Sequence, residues 1–106
     1  MDPTDFSPRV TAISDDGLQY SFDVMYQGVA IASFVSRFIN ELVQHGRCEG
    51  EIVVEDGNGT VLIRMERQFL TEEPTVEQRQ ESMSAALTIF GQEPEVIAFL
   101  SSLAGQ

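Results

Sequence analysis

One histidine and one cysteine, His45 and Cys48, stand three residues apart in the run His45-Gly46-Arg47-Cys48. An imidazole held beside a thiol can generate a nucleophilic thiolate, but such a pair needs a third group to orient the base. No such group accompanies this pair, so the run reads as a turn with an inert thiol, and His45 as the end of a helix, where the dipole favours positive charge. Glu55-Asp56-Gly57-Asn58 has the opening of a calcium loop. The match then fails, because that loop's glycine would fall at Val61 and its closing glutamate inside the next strand. A carboxylate-pair hydrolase needs two acids facing each other across a cleft, whereas the acids here are scattered along the chain. The chain is therefore read as a non-enzyme, with no catalytic, cofactor-binding or metal-binding residue assigned.

What remains is charge. Seventeen Asp and Glu stand against six basic residues, all arginine, for a formal net charge of -11 over 106 residues. Such a surface repels nucleic acid and anionic membrane and attracts cationic partners from a distance. Hydrophobic content of 42%, with seven Phe spread along the chain, is too high for a disordered acidic tail, so the charge decorates a folded body. The length suits one domain. A single cysteine cannot close an internal bridge, which suits a reducing compartment and gives a cytoplasmic expectation. No leader or apolar span is visible.

The elements that must position these residues follow from periodicity. Residues 1–9, with Pro3 and Pro8, read as a flexible tail, and residues 10–106 as the domain. Leu18, Tyr20, Phe22, Val24 and Tyr26 alternate with polar neighbours, which predicts a half-buried strand paired through Asp15-Asp16-Gly17 with Val10–Ser14. Ile31, Phe34, Val35, Phe38, Ile39, Leu42 and Val43 recur at three and four residues and predict a helix, with Gly46 as its left-handed cap. Ile52–Glu55 and Val61–Glu66 flank Asp56-Gly57-Asn58-Gly59 as a hairpin.

Residues 75–90 support two periods. Met83, Ala85, Leu87 and Ile89 alternate as in a strand, whereas Met83, Ala86, Leu87 and Phe90 suit a helix that Thr75 and Gln78 would cap. The strand is expected, because a helix would place Arg79 and Gln80 in its apolar stripe. Pro94 opens a final helix with Val96, Ile97, Leu100 and Leu103 buried. The predicted class is α+β, a two-layer sandwich in the order ββαβββα, with a five-stranded antiparallel sheet and two helices on one face. Leu18, Tyr20, Phe22, Val24, Ile52, Val54, Val61, Ile63, Met65, Leu87 and Ile89 form its predicted core.

The opposite sheet face is expected to show Asp23, Met25, Glu51, Val53, Glu55, Leu62, Arg64, Glu66 and Ala86. Two readings of it stand. As a partner-binding surface, Met25, Val53 and Leu62 supply apolar contact while Asp23, Glu51, Glu55 and Glu66 meet Arg or Lys of a basic protein. As a plain solvated face, cross-strand pairs such as Arg64 with a neighbouring Glu keep the sheet soluble.

The order Tyr20-Ser21-Phe22-Asp23-Val24, a helix, a Gly50-Glu51-Ile52-Val53-Val54-Glu55 hairpin, Ala85-Ala86-Leu87-Thr88-Ile89 and a final helix Val96-Ile97-Ala98-Phe99-Leu100 resembles the small acidic WapI-type immunity proteins of bacterial toxin systems. The resemblance implies a non-enzymatic inhibitor that binds a basic toxin or nuclease, and it carries no residue roles. The alternatives are a self-associating homodimeric domain and halophilic adaptation.

Overall fold

A computed structural model describes residues 6–105 of the chain. Five strands run in sequence as β1 (Phe6–Ile13), β2 (Gln19–Tyr26), β3 (Val29–Gln44), β4 (Arg47–Asp56) and β5 (Val61–Phe69), followed by α1 (Val76–Phe90) and α2 (Pro94–Ala104). The strands form one antiparallel meander in chain order. The class is thus α+β, with the helices packed against the sheet.

Each turn has a local cause. Gln27-Gly28 and His45-Gly46 are two-residue connections with positive φ at both positions, the backbone whose twist matches a hairpin. Asp16 Oδ1 accepts from the Leu18 amide at 2.9 Å and from Ser14 Oγ at 2.7 Å. Asp56 Oδ1 likewise accepts from the amides of Asn58 and Thr60 at 2.8 and 3.0 Å. That aspartate therefore ties down a hairpin turn, which accounts for the run that mimics a calcium loop.

Two element assignments are exchanged relative to the periodicity. Residues 31–43 belong to the central strand β3 rather than to a helix, so the order is βββββαα. Phe34, Ser36 and Phe38 point to the core, while Val35, Arg37 and Ile39 take the other face. Beyond Ile39 the register skips so that Leu42 pairs with Glu49 and Val43 with Cys48. Asn40, at φ 57°, makes this bulge. The helical spacing arises because a central strand carries apolar residues on both faces, Phe34 and Phe38 on one and Val35 and Ile39 on the other, and beyond Ile39 the bulge shifts the inward set from even to odd positions. Gly46, read as a helix cap, takes the same left-handed conformation in a hairpin turn, and His45 caps no helix.

Conversely, residues 76–90 form a helix rather than a strand. Thr75 caps it in a reciprocal capping box: its hydroxyl accepts from the Gln78 amide at 3.1 Å, and Gln78 Oε1 accepts from the Thr75 amide at 2.8 Å. Met83, Ala86, Leu87 and Phe90 form its buried stripe. Ala86, expected on the open sheet face, lies on the buried side of this helix instead. β1 begins at Phe6, within the segment read as a tail, and residues 1–5 lie outside the described part.

The core lies between one sheet face and both helices. Phe90 stacks edge-on against Phe22 and Phe34 with ring centroids 5.6 and 5.1 Å apart, and Phe99 of α2 reaches Phe34 at 6.4 Å. Ser36, fully buried, donates to Met83 Sδ at 3.2 Å, which satisfies the one polar side chain in the centre of this layer. Val61, predicted in the core, is 41% exposed because a register slip between it and Ile63 sets it opposite Glu55 on the open face. The sixteen residues of β3 span about 50 Å at ~3.3 Å per residue, which matches the 49 Å long axis.

Candidate partner-binding surface

The open face is a lattice of internal ion pairs. Arg9 reaches Asp23 at 3.2 Å and Arg64 reaches Glu51 at 2.8 Å, while Arg37 holds Glu55 through two nitrogens on one carboxylate oxygen. These pairs form because β-register places opposite charges on neighbouring strands. Ser33 Oγ donates to Asp23 at 2.7 Å and holds its carboxyl below the usual range, with Arg9 adding to the effect. Asn40 Nδ2 donates to Glu51 at 2.8 Å and lowers that carboxyl, again with help from the arginine.

Val53 lies at the centre of this lattice and is only 1% exposed. It is flanked in register by Arg37 on β3 and Arg64 on β4's other neighbour, β5, and on a face without helices their aliphatic stems are the available cover. Met25 and Leu62 are half-buried, and Leu62 packs against the core. Of the seven residues expected to meet a partner, Glu51, Val53, Glu55 and Glu66 come together on β4 and β5, while Asp23 and Met25 lie across β3 on β2. Asp23, Glu51 and Glu55 each hold an arginine of their own chain. Glu66 is exposed and sits opposite Glu51.

A second surface lies at the end of the sheet formed by the β3–β4 turn and the exit from β5, where Arg47 and Arg67, which take no part in the four ion pairs, stand among the acids. Leu42, Val43 and Leu70 are 50%, 46% and 85% exposed there. Two shallow grooves flank them. One of about 670 Å³ is lined by Leu42, Glu49, Glu51, Glu66, Arg67 and Gln68 among others, and one of about 810 Å³ by Val43, Leu70, Glu72 and Glu73. Sequence reasoning missed this surface because Leu42 and Val43 were placed in a helical stripe. The signal that could have found it is Leu70, an apolar residue directly before Thr71-Glu72-Glu73-Pro74.

The thiol chemistry suggested by His45 and Cys48 has no geometry to support it. Cys48 is fully buried and its Sγ lies 3.2 Å from Glu41 Oε1. Burial, then the Glu41 carboxylate, push the thiol up to about 11, the opposite of what a reactive cysteine needs. His45 occupies the exposed hairpin turn. Among the described residues no group of three or more His, Cys, Asp or Glu is arranged to hold a metal, and no helix is long and apolar enough to cross a membrane. Among known proteins, no family model, curated protein or solved structure matches this chain.

Proposed function

We propose that this chain is an acidic protein-binding module, an immunity-type inhibitor that neutralises a basic toxin or nuclease in the cytoplasm. The observation that carries the reading is the disposal of the arginines. Four of the six are engaged with Asp23, Glu41, Glu51 and Glu55, so the negative surplus of the chain resides in other acids, including Glu49, Glu66, Glu72 and Glu73 around Leu42, Val43 and Leu70, where they outnumber Arg47 and Arg67. Leu42 beside Glu49 and Glu66 in one groove, and Val43 and Leu70 beside Glu72 and Glu73 in the other, set apolar contact next to acids, which is complementary to a cationic protein surface that also offers apolar contact. On this reading the binding end of the molecule is the Leu42–Leu70 end, and the ion-paired face stiffens the sheet behind it. The chain acts by covering its target, without bond-making chemistry of its own.

The test is co-expression with the product of the neighbouring gene, followed by co-purification and titration at several salt concentrations. Expected is a complex whose affinity falls as ionic strength rises and is weakened at least about tenfold by E72R/E73R, the equivalent of ~1.4 kcal/mol. A neighbour product that is neither bound nor neutralised, or binding indifferent to both salt and E72R/E73R, would remove the basis for the reading.

A further inference from the structure

The two edges of the sheet are unlike. The outer edge of β1 is blunted by Pro8, which has no N–H to offer, and by a register slip between Val10 and Ala12, both ordinary protections against edge-to-edge pairing. Among the described residues β5 pairs with β4 alone, and its own register slip, between Val61 and Ile63, lies at its start and leaves Ile63–Phe69 in regular register. Its nine residues contain neither proline nor glycine, and among the described residues no further backbone hydrogen bond engages it on the outer side. Charged side chains on an edge also deter pairing, and β5 carries Arg64, Glu66 and Arg67. Their order has a different effect on a second copy of the same strand.

We infer that β5 is a homodimer interface, in which two copies pair edge to edge and antiparallel about a two-fold axis at Met65. In that register Arg64 faces the partner's Glu66 and Glu66 faces the partner's Arg64, so the charges become two symmetric attractions on the open face. Ile63 meets the partner's Arg67 at either end of the regularly paired stretch. An isologous contact of this kind is the commonest route to a dimer, and the main chain supplies the hydrogen bonds as in any added strand.

A second observation points the same way. Within one chain Glu66 lies directly opposite Glu51, and like charges so placed repel. Arg64 relieves only Glu51, through Nη1 at 2.8 Å, and no ion pair engages Glu66 among the described residues. The second copy brings an arginine to the vacant side of Glu66, while Nε and Nη2 of each Arg64 stay available to make that contact. The result is a continuous ten-stranded sheet with the two Leu42–Leu70 ends at opposite extremes. Dimerisation shares Glu66 with the inhibitor reading but leaves Glu49, Glu72 and Glu73 free, and it is measured on the purified protein alone.

Sedimentation equilibrium of the wild type is expected to give twice the 11.7 kDa chain mass, dissociating on dilution. E66R is the discriminating variant. It places an arginine beside Glu51, which favours the fold of the single chain, yet sets arginine against arginine across the axis, so the dimer constant should weaken about tenfold or more. Adding R64E restores opposite charges and should return the constant to within about threefold of wild type. M65C brings two thiols together at the axis within disulfide reach, and oxidation should trap a covalent dimer, Cys48 being buried. A wild type that is monomeric at every concentration, an E66R dimer as tight as wild type, or a dimer that M65C leaves uncrosslinked would each overturn the inference.

Discussion

Arg79 on α1 reaches Glu41 on β3, Nη2 to Oε1 at 3.0 Å, while its guanidinium lies 5.6 Å from the centre of the Phe38 ring and 6.0 Å from that of Phe69. One side chain thus ties the helix to the bulged part of the central strand through an ion pair and two aromatic faces. The arginine side chain is only 14% exposed, and among the described residues its buried Nη1 has no hydrogen-bond partner. The contact is therefore mixed: good packing, incomplete polar satisfaction.

Removing the whole side chain with R79A should cost about 2 kcal/mol, since stem packing is lost and Glu41 is left with only the Cys48 thiol. R79M should cost clearly less, because it keeps the stem and removes the unsatisfied nitrogen. Urea denaturation of the two variants checks the order. Equal losses would mean that the charge, and not the packing, ties α1 to β3.

Gly50 is constrained by a close approach. A methyl group there would fall 2.5 Å from Phe38 Cζ and 2.9 Å from the Ile39 carbonyl oxygen. G50A is expected to destabilise by about 1–3 kcal/mol. F38L should recover part of that loss but not all, because the carbonyl contact remains. A G50A protein as stable as wild type in thermal melts would show that the bulge is looser than this geometry.

His45 takes φ 53° in a two-residue turn before Gly46. Asn-Gly is the favoured pair for that backbone, so H45N should stabilise by about 0.5 kcal/mol, whereas H45V should destabilise by about 1 kcal/mol or more because a β-branched residue resists positive φ. Chemical denaturation of the pair gives the sign.

Acid should unfold the protein through particular carboxylates. The Leu18 amide and then Ser14 lower Asp16, Ser33 and then Arg9 lower Asp23, Arg79 and then Cys48 lower Glu41, and Asn40 with Arg64 lowers Glu51. Groups held below their ordinary values of 3.8 and 4.5 contribute stability that is complete above those values and is lost as pH falls through the lowered ones. Denaturant midpoints should therefore be flat on the neutral side and decline from about pH 4.5 downward. D23N should flatten that decline. An unchanged acid limb in D23N would remove Asp23 from the account.

The sequence by itself determined whatever depends on neighbours along the chain. Asp16-Gly17 and Asp56-Gly57-Asn58-Gly59 announce their turns because side-chain oxygens and positive φ act within four residues. Tyr20, Phe22 and Val24 alternate without interruption, so β2 was legible, and Pro94 with Val96, Ile97 and Leu100 marked α2. The α+β class followed from these elements and from a five-strand count that held although one strand and one helix changed places. Tertiary structure decided the exchange. A central strand is apolar on both faces, and the bulge at Asn40 reset its parity, so β3 imitates a helix until Gly50 and Phe38 are seen packed together. Arg79 argued against a helix over 76–90 until Glu41, Phe38 and Phe69, all distant in sequence, supplied its buried partners. The open face was likewise undecided from composition: which acids are neutralised depends on register, and register is a property of paired strands, not of either strand alone.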